Sequence, residues 1–184
     1  MVFPAFLDTC VLFSPTLTDT LLRIAEEDAF RPHWSAEVLE ELRRVLVREG
    51  MPEERAAKRI ASMESAFGEA TVAGYAPLVE AMTCDLKDRH VLAAAVHARC
   101  EVLVTFNVRD FPPESTVAHQ IAVVTPDAFL LDQLDLHPAK VGRALVGQVT
   151  AAKRPRLTMG QLLSRLARAG VEGFAEEARR HQFA

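Results

Sequence analysis

Short apolar runs alternate with amphipathic helical patterns from the amino terminus to about residue 125, and that alternation leaves few folds open. Residues 2–7 (VFPAFL) read as a buried strand that ends at Asp8, with ladder pairing expected only beyond Pro4. A helix is predicted over residues 18–27, with Thr18 as its N-cap, and a second strand over 30–34. Ser35 then caps the helix in SAEVLEELRRVLVREG. Val38, Leu42, Val45 and Leu46 form its apolar stripe, and Gly50 ends it. Pro52 sits in the first turn of the next helix, which runs to about Phe67, and residues 70–73 read as a short strand. The helix predicted over 88–99 is apolar on most sides, as a helix buried against a sheet should be. Residues 102–106 (VLVTF) are the clearest strand, and 121–124 (IAVV) the next. Strands separated by helices imply an α/β fold with a parallel sheet covered on both faces.

After this alternation the pattern changes. Thr125-Pro126 is a helix start, and from Pro138 onward only helical spacing is found. Val141, Leu145 and Val149 recur every four residues, and Thr158-x-x-Gln161 resembles a capping box before Leu162, Leu163 and Leu166. The expected division is therefore an α/β domain over 1–135 and a small helical extension over 136–184. A chain of 184 residues is long enough for one sizeable core. No apolar run reaches transmembrane length, so no membrane association is expected. MVFPAFLDTC lacks a basic n-region and a small-residue cleavage site, so it does not read as a secretory signal. The odd number of cysteines (Cys10, Cys84, Cys100) suits reduced thiols, and a cytoplasmic location is expected.

Charge is unevenly placed. The net charge is −4, yet between Leu136 and Val171 there are seven Lys or Arg and no Asp or Glu. Elsewhere 14 basic residues face 25 acidic ones. A basic segment on an acidic body is either a solvated helical face or a nucleic-acid footprint.

In an open parallel sheet, ligands bind at the carboxyl ends of the strands. Asp8 follows the first strand, and Asn107 and Asp110 follow the strand at 102–106. Asp85 and Asp88 stand at the start of the preceding helix, and Glu37, Glu40 and Glu41 in the first turns of the helix after Trp34. Four separate segments thus bring acids to one edge. Taken singly, an aspartate at a helix start is usually a cap, and Glu40 can pair with Arg43 or Arg44 on the surface. Gathered together, carboxylates repel unless a cation compensates them. Hard divalent ions with oxygen ligands do this, and Mg²⁺ or Mn²⁺ would suit phosphodiester chemistry. On that reading Asp88 is a metal ligand and Asp85 a helper or cap.

These residues resemble the PIN-domain nucleases, in particular the toxins of VapBC-type toxin–antitoxin systems. FLDTCVLFS is similar to that family's first strand and first acid, which gives Asp8; SAEVLEELRRVL is similar to its Glu-Leu helix, which gives Glu41 with Glu40 as the alternative register. DLKDRHVLAAAVHARCEVLVTFNVRDF is similar to its most recognisable block, which gives Asp88 and Asp110, with Thr105 and Asn107 on the same edge. The resemblance covers about residues 2–130. It implies a three-layer α/β/α fold and an endoribonuclease using Mg²⁺ or Mn²⁺, with a metal-activated water attacking the RNA phosphate. Asp8, Glu41, Asp88 and Asp110 would hold the metal, and Thr9 and Asn107 would orient ligands or substrate. It also implies a homodimer inhibited by a cognate antitoxin. At position 107 the chain has Asn, so Asp110 alone supplies a charge in that turn. The alternative is a catalytically inactive PIN-like module that binds RNA or protein.

Other chemistries fit less well. A phosphatase using an Asp nucleophile wants a second Asp two residues later, where Cys10 stands. No glycine-rich turn follows the first strand, as a dinucleotide site would require. Cys84, His90, His97 and Cys100 lack the close ligand pairs of a zinc site. In the basic segment, Lys153, Arg154 and Arg156 are the candidate RNA-phosphate contacts.

Overall fold

The chain is described by a computed structural model that covers residues 2–153, 155–181 and 183; Arg154 lies outside the described residues. In chain order the elements are β1 (Pro4–Leu7), α1 (Thr9–Leu12), α2 (Pro15–Glu26), β2 (Arg31–Ser35), α3 (Ala36–Arg48), α4 (Glu53–Ala66) and β3 (Thr71–Val72). They continue with α5 (Arg89–His97), β4 (Val102–Val104), α6 (Pro113–Thr116), β5 (Ala122–Val124), α7 (Pro126–Leu136), α8 (Pro138–Ala151), α9 (Met159–Arg168) and α10 (Glu172–Arg180).

All five strands pair in parallel in the order β3-β2-β1-β4-β5. The expected α/β class with a central parallel sheet and additional carboxyl-terminal helices is what the chain forms. Strand order reverses between β1 and β4, which makes a crevice at their carboxyl ends, where open α/β sheets bind ligands.

Local chemistry explains most element boundaries and several shifts from expectation. Pro4 opens β1, where its missing N–H costs nothing; its carbonyl accepts from Glu101 N at 3.0 Å, so pairing begins at Pro4 and not beyond it. Helix α2 begins three residues before Thr18, because Ser14 accepts from Leu17 N and Pro15 fits the first turn. Thr18 is then buried within the helix. Ser35 caps α3 as expected, accepting from Val38 N at 3.2 Å, and Gly50 (φ +93°) takes the left-handed conformation after it. Strand β4 stops at Val104, because Thr105 Oγ1 accepts from Asn107 N at 3.0 Å and turns the chain. Helix α5 is preceded by a single 3-10 turn over Leu86–Asp88. The one-turn helix α1 has no periodicity to announce it and depends on its cap, Asp8.

The chain divides into two compact units. One comprises Phe3–Phe13 and Arg31–Val124 and contains the whole sheet. Its interior holds Phe6, Leu7, Trp34, Val38, Leu42, Leu92 and Leu103, all fully buried, and α3 and α5 pack on β2. The run Ala93, Ala94 and Ala95 is also buried, which small side chains permit where a helix lies close to its neighbours.

The other unit joins α2 to the helices beyond β5. Its polar interior is tied by specific bonds. Gln148 Oε1 accepts from Thr20 Oγ1 at 2.7 Å, while its Nε2 donates to Thr16 O at 3.1 Å. Asp127, in the first turn of α7, accepts Phe174 N at 2.8 Å and so caps α10. Gly173 allows this approach, since a Cβ there would meet Asp127 Oδ2 at 2.7 Å. Phe30 and Phe129 pack edge to face at 4.9 Å. Thr158 and Gln161 form the predicted capping box. Within the basic segment, Lys140 donates to Asp28 O and Arg143 pairs with Glu27, both at 2.8 Å. Lys153, Arg156, Arg165 and Arg168 are exposed. No helix among the described residues is long and apolar enough to cross a membrane.

Candidate active site

Asp8 is the first residue beyond β1, so the strand fixes its position and the turn fixes its side chain. Its backbone N–H donates to Val104 O at 3.1 Å and ties it to β4. Its carboxylate is 6% exposed and held at both oxygens: Oδ1 accepts Thr9 N at 2.7 Å, and Oδ2 accepts Thr105 Oγ1 at 2.7 Å. Cys10 Sγ lies 3.2 Å from Oδ2 and also accepts Phe106 N at 3.3 Å. Burial pushes the Cys10 thiol up to about 12, with the Asp8 charge acting in the same direction, so it remains a neutral donor.

Helix α3 supplies the second acid. Thr9 Oγ1 donates to Glu41 Oε2 at 2.8 Å, which draws Glu41 beside Asp8. Glu40 points to solvent instead, where Arg43 and Arg44 pair with it. Of the two registers, Glu41 is the one joined to the site. Glu37 accepts from Tyr75 Oη at 2.9 Å and lies 3.6 Å from His90 Nδ1.

The two aspartates before α5 differ in role. Exposed Asp85 accepts Lys87 N at 3.2 Å and caps the 3-10 turn. Asp88 holds the N-cap position of α5 but makes no capping bond. Its Oδ2 is buried and has no hydrogen-bond partner among the described residues. Burial, reinforced by the charges of Asp8, Asp110 and Asp85 and opposed by Lys87, raises its pKa from the ordinary 3.8 to about 6. Asp110 lies on the turn after β4, where its Oδ2 is 3.1 Å from Lys87 Nζ; Asp88 Oδ2 is 3.8 Å from the same nitrogen.

A cavity of about 320 Å³ brings these groups together: Asp8, Thr9, Glu41, Asp88 and Asn107 line it with Cys10, Phe13, Val45 and Lys87. Thr105 stands behind Asp8, Asp110 is reached through Lys87, and Glu40 and Asp85 are outside the lining. Lys87, Cys10 and Phe13 also line the cavity, and the sequence alone gives none of them a role there. For Lys87 the signal was present, since it is the lone cation between Asp85 and Asp88. Among the described residues, no three His, Cys, Asp or Glu side chains converge closely enough to enclose a metal ion as they stand. The donor chemistry nevertheless fits a hard divalent cation, because the groups are carboxylates and one buried carboxylate oxygen accepts no hydrogen bond from the described residues. Cys84 and Cys100 are buried free thiols.

Comparisons with known proteins give the family of the chain. Residues 4–109 match a family model described as PIN domain, and residues 126–180 match one described as VapC50 C-terminal domain. A Mycobacterium tuberculosis protein named "Putative ribonuclease VapC50" is 46% identical over 107 residues, which is 58% of this chain and 63% of that protein. The aligned part thus spans under two-thirds of the relative's length. No solved structure matches the chain. The PIN model covers the segments that carry Asp8, Glu41, Asp88 and Asn107 and more than half of the sequence, and the chain belongs to the PIN-domain family.

Proposed function

We propose that the protein is an endoribonuclease dependent on Mg²⁺ or Mn²⁺ and the toxin of a type II toxin–antitoxin pair. The observation that carries this reading is the buried Asp88 oxygen that accepts no hydrogen bond from the described residues, in a cavity shared with the doubly anchored Asp8 and with Glu41. The similarity to a protein named as a ribonuclease, and to its carboxyl-terminal domain model, supports the substrate class. Asp8, Glu41, Asp88 and Asp110 would hold the cation. When bound, such an ion supplies Lewis acidity toward phosphate and makes water more acidic.

The chain's own residues do the positioning. Thr9 N–H and Thr105 Oγ1 aim the Asp8 carboxylate, and Thr9 Oγ1 orients Glu41. Asn107 lines the same cavity, and its side-chain amide can donate to a phosphate oxygen. Hydrogen bonds that are already made cost no reorganisation at the moment of reaction. In this reading catalysis belongs to residues 1–135, while the helices of 136–184 serve RNA, dimer or antitoxin contacts. A homodimer, a cognate antitoxin and a cytoplasmic setting complete it.

Asn107 in place of an acid favours one second reading, a PIN-like module that binds RNA or protein without cutting. Incubating the purified protein with a total-RNA pool in Mg²⁺, Mn²⁺ or EDTA, beside Asp8→Asn, separates the two. Metal-dependent cleavage lost in Asp8→Asn is the expected result. Cleavage that persists in Asp8→Asn, or none by metal-loaded wild type, favours the binding module.

A further inference from the structure

Lys87 occupies an unusual place for a cation. It sits between two acids of the site, 3.1 Å from Asp110 Oδ2 and 3.8 Å from Asp88 Oδ2, yet its side chain is 66% exposed. Among the described residues only these acids hold its ammonium group, so its position follows from them. Its backbone, in contrast, is fixed in the 3-10 turn by Asp85. The same side chain also lines a second cavity, of about 440 Å³, with Glu37, Glu40, Glu41, Arg44 and His90. Lys87 and Glu41 are the residues common to both cavities. A lysine has four rotatable carbon–carbon bonds, so one anchored backbone can serve either side.

From this geometry we infer that Lys87 is a tethered counter-ion: it neutralises Asp88 and Asp110 until a divalent cation takes those carboxylates, and then turns to a phosphate of the RNA strand in the neighbouring groove. The inference rests on the nuclease reading above and adds a residue to it. Electrostatics gives the direction. Two cations cannot both be close to Asp88 and Asp110 without mutual repulsion, so metal entry expels the ammonium. Glu37, Glu40 and Glu41 make the groove wall acidic and Arg44 there pairs with Glu40, so a released Lys87 ammonium is the charge that lets a phosphate approach. The exchange keeps the site neutralised when empty and adds a phosphate partner when loaded.

The test uses full-length protein without RNA, titrated calorimetrically with Mn²⁺. Lys87→Met removes the charge and keeps most of the stem. It is expected to bind Mn²⁺ roughly three- to tenfold more tightly than wild type, and Lys87→Arg should return the affinity toward wild type. A single-stranded RNA whose 2′-O-methyl groups block cleavage then reports the second half. In Mn²⁺, Lys87→Met should bind it about three- to tenfold more weakly, with a salt slope lower by about 0.7. Unchanged or weaker Mn²⁺ binding by Lys87→Met overturns the counter-ion role, and unchanged RNA affinity overturns the turn to phosphate. If wild type itself binds no Mn²⁺, the nuclease reading fails first, and the two failures are distinct.

Discussion

Two aspartates at helix starts, one in each unit, show how differently the same residue can be used. In the helical unit, Asp127 spends its carboxylate on Phe174 N, and Gly173 clears the space for it. In the sheet unit, Asp88 stands at the start of α5 and its buried Oδ2 accepts no hydrogen bond from the described residues. Asp127 closes a structure, whereas Asp88 leaves a valence open. A cap that caps nothing, placed where strand order reverses, marks a site held ready for something else.

The contrast can be broken most forcefully at Asp8, the acid that the sheet itself anchors. Asp8→Asn preserves the size and a cap oxygen for Thr9 N, and turnover on RNA should fall by roughly 10²–10³-fold or more while the circular dichroism spectrum is kept. Retained turnover would remove Asp8 from the chemistry.

Asp88 and Asp127 should respond with opposite signs. The folded state raises the Asp88 pKa to about 6 from the ordinary 3.8, so between those values the folded protein keeps a proton that the unfolded chain has lost. The stability this group provides is present below pH 4 and is lost as pH rises through 6. Metal-free Asp88→Asn should therefore gain on wild type in Tm above pH 6 and lose that advantage below pH 4, while RNA cleavage falls at least ~10²-fold. Asp127→Ala should do the reverse. It should lower Tm by about 2–8 °C through a lost cap worth about 1–2 kcal/mol, with little change in cleavage per folded molecule. Thermal melts across pH, with and without EDTA, would expose either sign if it were wrong.

Smaller effects test the edges. Replacing Lys153 and Arg156 with Ala should weaken binding of single-stranded RNA about three- to tenfold and lower the salt slope by about 0.7 for each phosphate left without its cation. Fluorescence anisotropy at several salt concentrations measures both, and an unchanged slope would assign the segment to protein partners. Least of all, Glu40→Gln should change cleavage by less than about twofold, because its partners are surface arginines. A large loss there would reopen the register between Glu40 and Glu41.

Much of this molecule could be read from its sequence because the signals were local. The first strand running up to Asp8, the strand opening at Val102, the Ser35, Thr125 and Thr158 caps, and the turn at Gly50 each depend on a few neighbouring residues. Asp85 as cap and Asp88 as the available acid also followed from their spacing. Other features depend on partners far along the chain. The association of α2 with helices more than a hundred residues later leaves no pattern in either segment, and the Thr20–Gln148 bond between them is visible only when folded. Lys87 was hidden for another reason. A charged residue at the surface is usually a solvated one, and only the positions of Asp88 and Asp110 give it a task. Cys10 was noticed for the aspartate it replaces, and its bond to Asp8 gives it a positive role.

The last rungs of the sheet carry a further consequence. Asp8 N–H closes on Val104 O, and Thr105 N–H on Val124 O, so these residues belong to the ladder, with the Asp8 side chain in the cavity and Thr105 holding it from behind. Lys87 and Asp88, by contrast, are carried on a single 3-10 turn, and Asn107 stands at the start of another. Half of the pocket therefore rests on the stiffest part of the fold and half on segments free to open locally. Amide hydrogen exchange should separate the halves, with slow exchange at Asp8 and Thr105 and faster exchange at Lys87 and Arg109. The wall that aims the reaction would then keep its shape while the opposite wall breathes around each arriving strand.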